Sequence, residues 1–171
     1  LKRFQIQTSE GGELFAAGEA YIDFLNLIHE NEFINWQKIP VLLGLQINLP
    51  FEKVLSSYHK ISEDIRFGEL KIHGEFKGNL GNPKGKIIWS APQIVKIAKQ
   101  QLSGKGTIIF GKKNIFLKDT VLNTDKGNLQ IKGIGNISSK KWSNLIVANN
   151  FSFNPLKKLY STLIACPKDI T

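Results

Sequence analysis

Few residues in this chain are of types that do chemistry, and none is spaced to do it. His29, His59 and His73 stand alone, with no H-x-E or H-x-x-x-H spacing, so each reads as a surface or half-buried residue. Cys166 is the single cysteine, which rules out an internal disulfide and, with those histidine spacings absent, leaves a zinc site without support. The glycine-rich runs are not phosphate loops. Gly104-Lys-Gly106-Thr-Ile-Ile-Phe-Gly111 lacks the G-x-G-x-x-G order. Gly81-Asn-Pro-Lys-Gly85-Lys86 lacks the Walker spacing, and Ile87 stands where a magnesium-binding hydroxyl belongs. There is no G-x-S-x-G elbow. Glu10, Glu13, Glu19, Glu69 and Glu75 fall in turns or on the wet side of alternating strands, where a solvated face explains them better than an acid–base pair. Trp36, Trp89 and Trp142 could stack a sugar, but packing in a core or at a rim is the ordinary role of such residues. Asn136-Ile-Ser138 and Asn150-Phe-Ser152 match the glycosylation pattern, which matters only in a eukaryotic secretory setting. The expectation is a non-enzyme with no catalytic residue, metal or cofactor.

What remains is a problem of surfaces. The 171 residues carry 23 Lys and Arg against 14 Asp and Glu, a net charge of +9. The lysines are scattered along outward strand positions, which suits a solvated face; nucleic-acid binding would rest on the charge alone and is set aside. No run approaches the roughly 18 apolar residues of a membrane span. With no methionine and Leu1 first, the chain is expected to be a piece of a longer protein.

The stretch Gly68 to Gly85 organises the rest. Leu70, Ile72, Gly74, Phe76, Gly78 and Leu80 alternate with Lys71, His73, Glu75, Lys77 and Asn79, so a long strand with one apolar and one wet face is expected. Gly81-Asn-Pro-Lys-Gly85 reads as a five-residue turn, and Ile87 and Trp89 restart the alternation. The same texture predicts strands at Phe4–Gln7, Leu14–Phe24, Leu43–Leu49, Gly104–Phe110, Ile115–Leu122, Leu129–Ile137 and Trp142–Phe153. Apolar residues at helical spacing predict short helices over Phe51–Ile61 and Pro155–Ala165, each introduced by a proline. Leu25–Trp36 fits either irregular chain or a short helix, and Ala91–Ser103 fits strand or helix.

The order strand, Gly/Thr turn, glycine-rich strand, apolar strand and proline-started helix occurs twice. Gly18 is as far from Gly133 as Ile22 is from Ile137. Two similar units are therefore expected, residues 1–62 ending one and 63–171 forming the next, along one continuous groove. Inward glycines at 74, 78, 104, 106, 133 and 135 suggest bends in a curled sheet, or room for an apolar guest beside Leu, Ile and Phe. The fold expected is mainly all-β: a curled antiparallel sheet shaped as an elongated half-pipe or taco, with an apolar inner groove and one or two short helices.

The motifs in order are G-x-L-x-I-x-G-x-F-x-G-N-x-x-N-P-K-G-K-I-x-W-x-A-P-Q, L-S-G-x-G-T-I, F-L-K-D-T, G-N-L-Q-I-K-G-x-G-x-I, K-K-W and F-N-P-L. This succession resembles the repeats of the TamB proteins, AsmA-like bridge-like lipid-transfer proteins of the bacterial envelope, and most of all the cyanobacterial members and their chloroplast-envelope relatives. The resemblance covers Phe67 to Leu159, and Phe4 to Leu55 more loosely. It implies a periplasmic segment of a protein anchored in the inner membrane, or a chloroplast intermembrane-space equivalent. It also implies an Omp85-class outer-membrane barrel as partner, and phospholipid acyl chains or unfolded barrel and preprotein chains as cargo.

On this basis Leu70, Ile72, Phe76, Leu80, Ile87, Trp89, Ile108, Phe110, Ile115, Leu117, Leu129, Ile131 and Ile137 are expected to line a lipid groove. Ile131 should point inward beside Leu129 and Phe76, and Lys132 to water. Three functions compete: lipid conduction, polypeptide handling by strand pairing at a sheet edge, and a non-catalytic β-sandwich adhesin or sugar-binding module. An open apolar trough would favour the first, and a second sheet layer the last.

Overall fold

Strict alternation of apolar and polar residues produces strands whose two faces differ, and here nearly all of them join one sheet. The computed structural model describes residues 4–7, 11–20, 39–53, 65–79 and 82–164. Its strands are β1 (Phe4–Gln7), β2 (Glu13–Ala20), β3 (Pro40–Pro50), β4 (Ile65–Phe67), β5 (Glu69–Asn79), β6 (Asn82–Ile97), β7 (Gln100–Phe110), β8 (Asn114–Thr124), β9 (Asn128–Asn136) and β10 (Lys141–Asn149). All pair antiparallel in a single ten-stranded sheet of order β1-β2-β3-β5-β6-β7-β8-β9-β10, with β4 also on β6. β1 and β10 form the two edges and do not pair with each other, so the sheet is not closed into a barrel. A helical turn at residues 51–53 follows β3, and helix α1 (Asn154–Ile164) follows β10. The order of three strands and a helical segment thus occurs twice, as β1–β3 with 51–53 and as β8–β10 with α1.

Paired residues of an antiparallel sheet project from the same face, so the register fixes which side chains share a surface. One row runs Gly18↔Leu43↔Phe76↔Gly85↔Phe110↔Ile115↔Gly135↔Trp142. The next runs Leu45↔Gly74↔Ile87↔Ile108↔Leu117↔Gly133. The face is apolar from β2 to β9, and at the β10 edge Asn144, opposite Gly133, puts an amide on it. The opposite face carries Glu75 against Lys86, Lys77 against Lys84, and Lys132 against Leu145.

A bulge protects this pattern. Period-two alternation from Leu117 would send Asp119 inward. Instead the register slips between Leu117 and Thr120, Asp119 takes a φ of 50° and stays exposed, and Thr120 joins the apolar face opposite Ile131. The slip avoids burying a carboxylate that nothing nearby would pair.

Several expected boundaries move. The β5/β6 turn is tighter than five residues, because Asn79 pairs with Asn82 and only residues 80–81 lie between. Pairing carries the backbone groups of residues 82–85 into the ladder, which a wider loop would leave to water. Ala91–Ser103 is strand throughout except for a turn at Ala98-Lys99. A bulge between Ala91 and Val95 absorbs Pro92, which has no N–H to give a ladder. The last strand stops at Asn149, where Asn150 turns the chain with a φ of 49°. Leu25–Trp36, Tyr21–Phe24 and Val54–Ile61 lie outside the described residues.

Burial concentrates at one end of the sheet. Phe67, Val95, Ile97 and Leu102 are buried there, and Phe51, Phe151 and Leu156 pack against them. After β10 the chain folds back over the apolar face. Asn150 Nδ2 donates to the Lys126 carbonyl at 3.1 Å, and the Ser152 N–H donates to Thr124 Oγ1 at 3.4 Å. This brings α1 onto β6 and β7, with Pro155 fully buried. The other end has no such cover among the described residues.

All nine residues of β10 are exposed, and only Lys141 is charged. Such an edge invites a further strand. The chain is expected to self-associate with rising concentration in sedimentation velocity, and Ile146→Lys, at a 59% exposed position, should weaken the association at least about tenfold by placing a charge at the contact. An unmodified chain that stays monomeric at every concentration would contradict this.

Candidate functional site

The end of the apolar face that has no cover among the described residues is concave. A cavity of about 960 Å³ is lined by the trios 17–19, 42–44, 75–77 and 84–86 together with Ile109 and Phe110. These are centred on the row Gly18, Leu43, Phe76, Gly85 and Phe110 of the apolar face, and the flanking positions, Glu19, Glu75, Lys77, Lys84 and Lys86 among them, belong by register to the opposite face. Its size is at the upper end of the roughly 300–1,000 Å³ of small-molecule sites. Leu43 is 40% exposed within it.

The floor is shaped by aromatic rings laid over glycines. Phe76 and Phe110, on strands either side of β6, bring their ring centroids within 5.7 Å of each other, and Phe76 lies over Gly85, where any side chain would strike it. Trp89 lies over β7: a Cβ on Gly106 would come within 2.6 Å of Trp89 Nε1 and of Thr120 Oγ1, and one on Gly104 within 3.0 Å of the Trp89 ring. Trp142 covers Gly135 and donates from Nε1 to Asn144 Oδ1. The space expected beside the inward glycines is therefore largely filled by the protein's own rings. Ring-over-glycine packing recovers the burial that a glycine forfeits in a strand.

Leu70, Ile72, Phe76, Ile87, Trp89, Ile108, Phe110, Ile115, Leu117, Leu129 and Ile131 share the apolar face, as the alternation implies. Ile137 lies one residue beyond the end of β9, is 53% exposed, and gives its N–H to the Lys113 carbonyl at 2.8 Å, which extends the Asn136↔Asn114 register by one pair. Leu80 lies outside the described residues. Ile131 neighbours Thr120 and Ile146, with Leu129 two residues along its own strand, but Phe76 is four strands away, about 19 Å at the usual strand spacing. Sequence reasoning missed Leu43, Leu45 and Ile47, which β3 supplies to the same face. The run Val41-Leu42-Leu43 masked their alternation.

The outer rim beside the concavity is basic, with Lys77 and Lys84 paired across the β5/β6 hairpin. Of the charged groups on that hairpin, Glu75 is engaged by His73 at 3.4 Å, and both are well exposed, so the contact contributes little. Among the described residues no group of three or more His, Cys, Asp or Glu could hold a metal, and no helix is long and apolar enough to cross a membrane.

No protein-family model, no curated protein and no solved structure matches the chain.

Proposed function

We propose that this chain is a segment of a TamB-like conduit that carries phospholipid along an apolar β-groove between the inner and outer membranes of a bacterial or plastid envelope. The observation that supports it most is an apolar face held in register across the whole sheet, with no second sheet layer over it among the described residues and a concavity of about 960 Å³ at its open end. An amphipathic sheet must bury its greasy face against something. Acyl chains suit it, since each buried methylene contributes about 0.8 kcal/mol without any directional contact. Non-directional binding is what a chain sliding past successive strands requires. Within this proposal the protein is periplasmic and non-catalytic, and an Omp85-class barrel is met by other parts of the full-length protein.

The test is lipid recovered with the purified chain, measured by native mass spectrometry. Leu43→Asp puts a carboxylate on the floor of the concavity, and should abolish lipid retention while the β-sheet circular dichroism signal persists. Lys132→Glu, on the outer face opposite Leu145, should change neither. Retention by Leu43→Asp at the level of the unmodified chain would overturn the proposal. Loss on Lys132→Glu alone would mean that cargo travels on the outer face.

A second reading, strand pairing with unfolded barrel or preprotein chains, is favoured by the free nine-residue edge of β10. Crosslinking from Leu145 to a client strand, insensitive to Leu43→Asp, would support it over lipid conduction.

A further inference from the structure

Three hairpins turn at the same end of the sheet, and each carries paired lysines. Lys77 and Lys84 face each other at the end of the β5/β6 hairpin. Lys112 and Lys113 form the β7/β8 turn, and Lys140 and Lys141 close the β9/β10 turn. Register puts these turns side by side, since Phe110↔Ile115↔Gly135↔Trp142 lie in one row just inside them. Two contacts tie the second and third turns together. The Ile137 N–H donates to the Lys113 carbonyl at 2.8 Å, and Asn136 Nδ2 donates to Asn114 Oδ1 at 3.0 Å.

All six ammonium groups are on exposed residues, and none has an ion-pair partner among the described residues. From residue 76 to residue 118 and from residue 126 to residue 164 the sequence contains no Asp or Glu at all. The opposite end is mixed: Glu69 pairs with Lys71 at 3.3 Å, and Asp125 sits beside Lys126 in the β8/β9 turn. The opposite end carries lysines too, Lys99 and Lys126 in its turns and Lys157 and Lys158 on α1, but there Phe51 and α1 cover the apolar face; among the described residues only the three hairpin pairs border an apolar floor without such cover.

An apolar floor meeting a cationic rim is the complement of an anionic amphiphile. We propose that this rim selects anionic phospholipid: the acyl chains lie on the apolar face, and the phosphate-bearing headgroup stays in water at the lysine hairpins. The proposal rests on the lipid-groove reading and adds the headgroup class and the side of the sheet on which it travels. Lysine suits the task, being a flexible, hydrated point charge that meets a passing phosphate without fixing its geometry. A bidentate clamp would hold the headgroup and stop movement along the groove.

The experiment offers the purified chain vesicles of phosphatidylcholine doped with acyl-labelled phosphatidylglycerol or acyl-labelled phosphatidylcholine. The vesicles are then removed and the label left on the protein is counted. At low salt, phosphatidylglycerol should be retained about fivefold over phosphatidylcholine, the effect of two or three exposed ion pairs, and the ratio should fall as salt rises. Replacing Lys112, Lys113, Lys140 and Lys141 by Gln should bring the ratio close to one with phosphatidylcholine retention unchanged. Circular dichroism checks the fold, which surface substitutions of this kind leave intact. Equal retention of both lipids by the unmodified chain overturns the headgroup assignment but leaves the groove standing. A preference that survives the four substitutions overturns the lysine rim. Retention of neither lipid overturns the groove and the rim together. Inorganic phosphate titrated alone should show no saturable binding; saturation would make a free anion the occupant and overturn the lipid assignment.

Discussion

Leu102→Ala is expected to lower the unfolding free energy by about 3 kcal/mol, whereas Leu43→Ala should cost less than about 1 kcal/mol. Both leucines sit on the apolar face of the same sheet. Leu102 has 0% exposure and packs within Phe67, Val95 and Ile97, with Phe51 and Leu156 over it. Removing its methyls leaves a cavity that α1 and the sheet cannot collapse into. Leu43 is 40% exposed on the floor of the concavity, so truncation there returns little buried area to water. Urea denaturation of the two variants reads the difference directly. Equal losses would mean that the whole face is a closed core, and the conduit proposal would then lose its structural basis.

The second large effect is expected at Gly106. A valine there would drive its Cβ to within 2.6 Å of both Trp89 Nε1 and Thr120 Oγ1. Thr120 is held by the β8 bulge and buried, so the indole must move. Overpacking of this kind costs about 1–3 kcal/mol, and loss of the ring's burial adds to it. Gly106→Val should therefore destabilise the sheet by about 3 kcal/mol and shift Trp89 emission to the red, read in a background with Trp36 and Trp142 changed to Phe. Gly44→Val is the control. Its Cβ would meet only the Ala17 carbonyl at 3.6 Å, an ordinary contact on the outer face, and β-branched residues favour strands. It should be neutral within about 0.5 kcal/mol. If both variants behave alike, the ring-over-glycine packing is not what holds Trp89 in place.

The amino-acid order by itself determined the sheet. Period-two alternation is a local property of the chain, so Leu70, Ile72 and Phe76 could be placed on one face and Lys71, His73 and Glu75 on the other without any partner strand in view. The same locality placed Ile108, Phe110, Ile115, Leu117, Leu129 and Ile131, and the helix that begins near Pro155. Alternation failed where a neighbour overrode it. Asp119 is in phase with Leu117, but a bulge turns it out, because the cost of an unpaired buried carboxylate appears only once β7 and β9 flank β8. The β3 leucines were hidden by a run of three apolar residues, and only pairing with Gly74 and Phe76 shows which of them face inward. The glycines read as empty space until Phe76, Trp89 and Trp142 were seen to fill it from adjacent strands, a contact between residues distant in the chain. The path of α1 back across β6 and β7 was equally illegible, because a helix has an apolar stripe wherever it docks and the sequence does not say against what. That docking closes one end of the face and, among the described residues, leaves the other open, which is the asymmetry on which the functional proposal depends.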